Sequence, residues 1–529
     1  MYILNLLLLV SGPILKIMET EDWFKLKRYP HIGEPLSLKD YKWIKAYVEN
    51  PVSVKKHSFL PLIHKCIIKR KYRADTVNLV RNKKTGERMR FIDKPKVRHI
   101  YYASHLDSIV FSYYNHLISE AYEKLIATKN FNESIVAYRK IPITKGSDKN
   151  KCNIDFAKST FEFIKKNEEK KLTAIVADVT AFFDNLDHKV LKKQWCKVLN
   201  LKTLPEDHYN VFKALTKLRY VESDQLFNSY KGSMLVERGV PNSYKEKEIK
   251  RIEIESNKYF KEKNAVAYCT KEEFIQNNLN LIISGKNKKG IPQGSPISAT
   301  LANVYMLSFD QEVYDKVEAI GGYYQRYSDD LIIVCEQKYE DEIIKYIRDK
   351  VQNLAKLEIH PSKTTVYRFE EINGIFKGYE IDEKSKERNY NKSLEYLGFI
   401  FDGQRVLIKD SGFSKFYRSM KRSFKKSTSL ALYSKNPDKR IFKPKLYKRF
   451  THRGAKRKLI YHPSKTDPTI YERTKKYYWG NYLSYIYKAN DSMRSLNDGR
   501  DIIKRQSRKF WNQFHKLMRF HESRLIKQK

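Results

Sequence analysis

Two acidic side chains stand side by side at Asp329-Asp330, within Gln325-Arg326-Tyr327-Ser328-Asp329-Asp330-Leu331-Ile332-Ile333-Val334. A polar turn between an aromatic-rich stretch and a β-branched run predicts a hairpin whose tip carries both carboxylates. Like charges this close raise each other's pKa and cost stability unless a cation neutralises them. The pair is therefore either a solvated loop or half of a metal site. Charged residues are mostly exposed, so the pair alone does not decide. Asp178 supplies a third carboxylate, at the end of the buried-type strand Thr173-Ala174-Ile175-Val176-Ala177-Asp178, which runs on into Val179-Thr180-Ala181-Phe182-Phe183-Asp184.

A third stretch, Gly290-Ile291-Pro292-Gln293-Gly294-Ser295-Pro296-Ile297-Ser298, is a punctuated turn that opens a helix through Ala299 to Tyr305. A strand-end Asp, a Pro/Gly turn into a helix and a Tyr-x-Asp-Asp hairpin, in that order, resemble the palm of reverse transcriptases. Any one of them alone would be weak; together they are specific. His360-Pro361-Ser362-Lys363-Thr364 and Tyr396-Leu397-Gly398-Phe399 resemble the last two palm motifs, so the resemblance runs from about Arg88 to Phe401. It implies an α+β, right-hand polymerase fold of fingers, palm and thumb, with an antiparallel palm sheet and a helical, basic C-terminal region.

It also implies a chemistry. Polymerisation is an in-line attack by a 3′-hydroxyl on the α-phosphorus of a nucleoside triphosphate. Two Mg2+ ions, about 3.5–4 Å apart, activate the hydroxyl and stabilise the leaving pyrophosphate, and Mn2+ can substitute. By resemblance Asp178 and Asp329 bridge both ions, Asp330 is the third carboxylate, and the Val179 carbonyl adds one ligand. Phe183, five residues after Asp178, closes the floor under the sugar and makes the substrate a deoxynucleotide. Its bland alternative is a core Phe, which is the reading for Phe182. Gln293 touches the incoming nucleotide or template, its flanking glycines allowing close backbone approach. Lys363 is the candidate proton donor to pyrophosphate.

The elements that must position these groups begin upstream. Thr85-Gly86-Glu87-Arg88-Met89-Arg90-Phe91-Ile92 predicts a hairpin with Gly at its turn. Lys94-Pro95-Lys96-Val97-Arg98-His99-Ile100 follows as a basic strand, and Asp107-Ser108-Ile109-Val110 opens a helix. In the fingers of reverse transcriptases a similar arginine stands nine residues before such a helix start, and Arg98 has that spacing. A guanidinium gives bidentate, non-titrating contacts to phosphate, which favours Arg98 over Lys94 and Lys96; the alternative is a solvated strand face. Asn153 to Lys158 predicts a helix start with Asp155 near its N-terminus. Leu186, Val190, Leu191, Trp195, Val198 and Leu199 fall at helical spacing and are assigned to packing. Residues 241–280 are charged and polar and predict an exposed insertion.

The whole chain fits this frame. Its 529 residues carry a formal charge of +43, with 104 Lys and Arg against 61 Asp and Glu. Such an excess calls for a polyanionic partner, nucleic acid above all. A hydrophobic fraction of 41% excludes a disordered basic tail. Cys66, Cys152, Cys196, Cys269 and Cys335 form no C-x-x-C pair, which excludes an obvious zinc knuckle and fits a reducing cytoplasm. The apolar run Ile3 to Val10 breaks at Gly12-Pro13, short of a membrane span. Met18 is therefore read as the start and 1–17 as a non-native extension, against the alternative of a short membrane anchor.

The expected divisions are 18–170 for the N-terminal region and fingers, 171–403 for the palm, 404–445 for the thumb and 446–529 for a helical extension. Ser411 to Ile460 holds 17 Lys and Arg against the single acid Asp438. Lys421, Arg422, Lys425 and Lys426 interleave there with Phe416, Tyr417, Met420 and Phe424, which predicts phosphate tracking over an apolar packing stripe.

Tyr29-Pro30-His31-Ile32-Gly33, Ser104-His105-Leu106-Asp107, Asn153 to Ala157 and Arg449-Phe450-Thr451-His452-Arg453-Gly454 resemble bacterial unknown-group and abortive-infection reverse transcriptases that defend against phage. That resemblance implies a structured noncoding RNA template, a DNA product, deoxynucleoside triphosphates, no membrane and a cytoplasmic setting, with homo-oligomers left open. Ser328 stands where Ala or Met is commoner in Tyr-x-Asp-Asp. The alternatives are a group II intron-type or retron-type enzyme, or a catalytically silent RNA-binding scaffold.

Overall fold

The strand Leu172–Asp178 carries no charge until its last residue and is buried over most of its length. In the computed structural model it pairs on both edges, with Asp330–Glu336 and with Thr365–Ile372. The structure describes residues 21–74, 90–144, 146–147, 149–239, 247–285, 288–359, 364–382, 385, 387–434, 440–456, 458–463, 470–478 and 480–526. The 1–17 segment, the turn at Gly86 and Lys363 lie outside these. The chain divides into two compact units that interleave in sequence: Met1–Asn132, Thr180–Asp310 and Gln352–Leu357 form one, and Glu133–Val179, Gln311–Val351 and Glu358–Lys529 the other.

The second unit is built on six strands in the order Tyr323–Tyr327, Asp330–Glu336, Leu172–Asp178, Thr365–Ile372, Ile375–Ile381, Arg388–Asn389. Every neighbouring pair is antiparallel. This is the α+β class with an antiparallel central sheet that the sequence predicts. Successive side chains alternate faces, so Leu172, Ala174 and Val176 share one side with their cross-strand neighbours Glu336, Val334 and Ile332. Leu172, Ala174, Ile332 and Val334 belong to one buried cluster with Ile154, Ala157, Phe161 and Ile164 of the helix Asn153–Lys166. That helix begins as predicted: the Asp155 carboxylate accepts the Cys152 N–H at 2.8 Å. The same cluster continues through the sheet Leu394–Tyr396, Phe399–Phe401, Val406–Ile408 into the C-terminal helices.

The helix Asp410–Leu432 shows how the basic region combines packing with charge. Phe416, Met420, Phe424 and Thr428 recur every fourth residue and are buried. Phe424 meets Phe514 and His521 of the helix Lys509–Ile526 at ring separations of 5.2 and 5.7 Å. Lys421, Arg422, Lys425 and Lys426 are exposed. Among the described residues, the C-terminal region expected to be mostly helical also holds an antiparallel pair, Lys458–Pro463 and Tyr471–Tyr478. Its Leu459-Ile460-Tyr461 and paired tyrosines have the β-branched and aromatic character that favours strands.

The first unit holds two four-stranded sheets. One runs Arg90–Tyr102, Leu62–Ala74, Arg219–Glu222, Ile283–Ser284, its first two strands a long antiparallel pair. The other runs His31–Ile32, Ala265–Cys269, Met234–Gly239, Lys247–Ile252. This second sheet corrects the reading of 241–280 as an exposed insertion. Ala265–Cys269 is buried at every residue, and Ile254, Ala265, Tyr268, Cys269 and Phe274 join a core with Ile32, Ile63 and Val221. Of the charged run Lys245-Glu246-Lys247-Glu248 that suggests exposure, Lys245 and Glu246 lie outside the described residues, and the strand Lys247–Ile252 is largely exposed at the sheet edge. The helix His188–Leu199 buries Leu191, Trp195 and Val198 as its spacing predicts, while Leu186 lies ahead of the helix and is itself buried. Among the described residues no helix is long and apolar enough to cross a membrane.

Candidate active site

The ladder of cross-strand pairs on the central sheet ends in two acids. Ala174 faces Val334, Val176 faces Ile332, and the next pair on that side is Asp178 with Asp330. Directly opposed residues of an antiparallel pair hold their Cβ atoms about 4.5–5.5 Å apart, and like charges there are destabilising. Asp329 occupies the two-residue turn between Tyr327 and Asp330, and its carbonyl accepts the Val179 N–H at 3.0 Å. One backbone hydrogen bond thus ties the hairpin tip to the residue after Asp178. Asp178 and Asp329 are half-buried and Asp330 is exposed. Among the described residues, the one set of three His, Cys or acidic groups with ligand atoms mutually within 4.8 Å is His64, Cys66 and His99. Asp178, Asp329 and Asp330 make a donor set of three hard carboxylates with the Val179 carbonyl as neighbour, which fits a Mg2+-class ion better than a soft metal.

The turn is held by residues that sequence reasoning passed over. Ser328, first of the two turn residues, has φ of +63°, a left-handed conformation that glycine adopts more cheaply. Its hydroxyl lies 2.9 Å from the Tyr138 hydroxyl, and its carbonyl accepts from the Arg326 guanidinium at 2.9 Å. Arg326 is fully buried. Its own carbonyl accepts the Val136 N–H at 3.1 Å, so the 135–138 segment lies along the hairpin. A buried guanidinium demands hydrogen-bond partners, which makes Arg326 a fixed brace. Nothing in the alternation of Tyr324-Gln325-Arg326-Tyr327 marks it as buried. Beside it, burial pushes the Tyr327 phenol above its ordinary pKa, with Tyr138, Cys152 and Asp330 adding to the shift.

Arg98, Phe183 and Gln293 all lie in the first unit, and backbone contacts string them together. The Gln293 carbonyl accepts the Tyr101 N–H at 2.9 Å, which docks the Pro-Gln-Gly turn on the strand that carries Arg98. Gly294, at φ of +119°, sits so close that a Cβ would lie 2.6 Å from the Tyr101 carbonyl and 3.1 Å from the Ile100 side chain. Ile100 and Arg98 share a strand face by the two-residue period. At the other end of the turn the Ile291 N–H donates to the Phe183 carbonyl at 2.9 Å. Arg98 is exposed, Phe183 and Gln293 are half-buried, and Phe182 is buried, as its assignment to the core requires. Ser298 opens the following helix and donates its hydroxyl to the Pro292 carbonyl at 2.6 Å.

Asp107 has a structural part as well as its place in the motif spacing. It is buried, pairs with His57 at 2.8 Å and accepts the Leu60 N–H at 3.0 Å, pinning the 57–60 loop to the helix His105–Ile126. The four basic residues of the helix Asp410–Leu432 lie in the second unit, with the Lys421 ammonium 4.7 Å from the centre of the Tyr417 ring.

Residues 251–401 match the family described as reverse transcriptase (RNA-dependent DNA polymerase). Those 151 of the chain's 529 residues are thus similar to a reverse transcriptase domain. The matched segment contains Gln293, Asp329, Asp330 and Lys363, while Asp178 precedes it. Members of this family work with divalent metal ions. A curated relative, the Retron Se72 reverse transcriptase of Salmonella heidelberg, is 26% identical over 130 residues, covering 22% of this chain and 34% of the relative. The chain thus spans about a third of the length of that reverse transcriptase relative. Among solved structures, telomerase from Candida albicans in complex with the TWJ fragment of telomeric RNA is 11% identical at a TM-score of 0.35, over 91% of this chain and 67% of that one. Apo telomerase from Candida tropicalis, truncated from its C-terminal domain, is 10% identical at a TM-score of 0.32, over 66% and 58%. At these scores the two likenesses carry no weight for this chain.

Gly294→Ala should expose the docking of the Gln293 turn. The added methyl group meets backbone in a left-handed conformation, so stability to urea should fall by about 1–3 kcal/mol. Gly232→Ala, where a Cβ meets nothing within 4 Å, should stay within about 0.5 kcal/mol of wild type.

Proposed function

We propose that this chain is an RNA-directed DNA polymerase that adds deoxynucleotides to a DNA strand and serves antiviral defence in the cytoplasm by copying a structured noncoding RNA. The observation that carries the catalytic reading is the opposition of Asp178 and Asp330 across paired strands, with Asp329 at the turn beside them. Two divalent ions, Mg2+ by preference, would supply Lewis acidity and lower the pKa of the attacking hydroxyl when bound there. Asp178 and Asp329 would hold them, with Asp330 and the Val179 carbonyl as further donors.

The remaining roles belong to side chains. The Arg98 guanidinium is exposed and suited to bidentate contact with the triphosphate. The Phe183 ring excludes a 2′-hydroxyl, and the Gln293 side chain contacts the nucleotide or template from a turn fixed at both ends. Lys363, outside the described residues, keeps its assignment as proton donor to pyrophosphate by resemblance alone. The exposed bases of the helix Asp410–Leu432 grip RNA through phosphates, with shape and single-stranded loops setting preference. The retron-type assignment is the second reading, favoured by the similarity to the Retron Se72 enzyme. Sequencing the nucleic acid that purifies with the protein tests which RNA it copies and whether a DNA complementary to that RNA is made.

Asp178→Ala and Asp329→Ala should each lower metal-dependent deoxynucleotide incorporation by about a thousandfold or more, the loss of several kcal/mol of charge stabilisation. The fold should survive, as judged by circular dichroism. Near wild-type incorporation by either variant removes the catalytic assignment and leaves the scaffold reading.

Phe183→Ala should raise the use of ribonucleotides relative to deoxynucleotides in a competition assay. Wild-type protein that already uses both equally would refute the sugar gate.

Reversing charge at Lys421, Arg422, Lys425 and Lys426 should weaken RNA retention while sparing the carboxylates. If each contacts a phosphate, the log–log salt slope should flatten by about 3, at about 0.7–0.9 per contact. Extraction and sequencing of the bound RNA completes the test. A heterogeneous mixture unaffected by the four reversals would reject a dedicated RNA partner.

A further inference from the structure

We propose that His64, Cys66 and His99 form a Zn2+ site on the sheet that carries Arg98. This inference is independent of the polymerase reading. His64 and Cys66 are two residues apart on the strand Leu62–Ala74 and therefore share a face. Cys66 lies directly opposite His99 on the strand Arg90–Tyr102. The three donors come from positions up to 35 residues apart and are gathered by strand register alone.

The distances fit one ion. The His64 Nε2 lies 2.9 Å from the His99 Nδ1, and the Cys66 Sγ lies 3.7 Å and 3.6 Å from these two nitrogens. Tetrahedral zinc with Zn–N of about 2.0–2.1 Å and Zn–S of about 2.3 Å has edges of about 3.3 Å for N···N and about 3.6 Å for N···S. Both sulfur edges match, and the nitrogen edge needs to open by about 0.4 Å. Borderline imidazole donors with a soft thiolate select zinc over Mg2+.

A second layer orients the ligands. The His64 Nδ1 lies 2.7 Å from the Glu222 carboxylate, on the neighbouring parallel strand where Glu222 is the register partner of His64. With Nδ1–H donated to that carboxylate, the Nε2 lone pair faces the cluster, the carboxylate–histidine arrangement that metal-binding histidines use. His64 is buried and stacks on Tyr101 at 4.6 Å, which fixes its ring plane. Cys66 and His99 are exposed, so an ion enters from solvent and water completes the fourth position. The bound ion staples three strands, Leu62–Ala74, Arg90–Tyr102 and Arg219–Glu222.

Cobalt substitution of the intact, chelator-treated protein tests this. One equivalent of Co2+ should produce a near-ultraviolet thiolate-to-cobalt charge-transfer band, which the carboxylates Asp178, Asp329 and Asp330 cannot give. Zn2+ should displace it stoichiometrically, and excess Mg2+ should not. Cys66→Ser should abolish the band, His99→Ala should weaken it, and Glu222→Gln should lower zinc affinity about tenfold to a hundredfold. The absence of a charge-transfer band in the wild type overturns the proposal without reference to any variant. Persistence of the band in Cys66→Ser, or equal zinc content in wild type, Cys66→Ser and His99→Ala, overturns it too.

Discussion

The second unit depends on the register that places Asp178 opposite Asp330. A slip of one residue would send one strand's side chains to the other face of the sheet and separate the acids. Several independent contacts hold that register. The Asp329 carbonyl takes the Val179 N–H, buried Arg326 braces the Ser328 carbonyl, and the Tyr396 hydroxyl donates to the Gln325 side chain at 2.9 Å. Opposed carboxylates and a left-handed Ser328 both cost stability, and the apolar ladder beneath them offsets it. A site that is unfavourable in itself, placed on a well-packed sheet, is the usual signature of function.

Much of this was legible in the sequence because it is local. The strand ending in Asp178, the hairpin at Asp329 and the helix opened by Ser298 each follow from a few consecutive residues. What was not legible is long-range. Arg326 is buried because the 135–138 segment crosses it, and no local pattern says so. Asp107 is pinned to His57, fifty residues away. The 241–280 stretch reads as exposed because its charges are a local signal, whereas the pairing of Ala265–Cys269 with both His31–Ile32 and Met234–Gly239 is long-range. Cys66 meets His99 through strand pairing, so no C-x-x-C spacing marks the cluster.

The helix Asp410–Leu432 satisfies two demands that the sequence posed as alternatives. Its buried stripe joins the same core as the central sheet, so the helix is anchored by packing. Its charges are then free of any structural duty to that core, and net charge can serve long-range attraction instead. The Tyr417 ring beneath Lys421 shows the same economy, with an aromatic surface and a cation presented together.

The Gly290–Gly294 turn shows why glycine recurs at fixed positions there. Gly290 has φ of +89°, and a Cβ on it would lie 2.7 Å from the Asp184 carbonyl, next to Phe183. Gly294 makes the matching approach to Tyr101, three residues beyond Arg98. The two glycines are contact points, one on the segment that presents Phe183 and one on the strand that presents Arg98, with Gln293 held between them. A side chain at either would push backbone against backbone, and neither neighbour is a flexible tip that could yield. The relative placement of Phe183, Gln293 and Arg98 is therefore set by close backbone packing within one compact unit. Phe183 stands five residues after Asp178, whose own position is set by the register of the second unit's sheet. Within the first unit, Phe183, Gln293 and Arg98 are thus preorganised by backbone packing, and the side chains themselves need only modest burial.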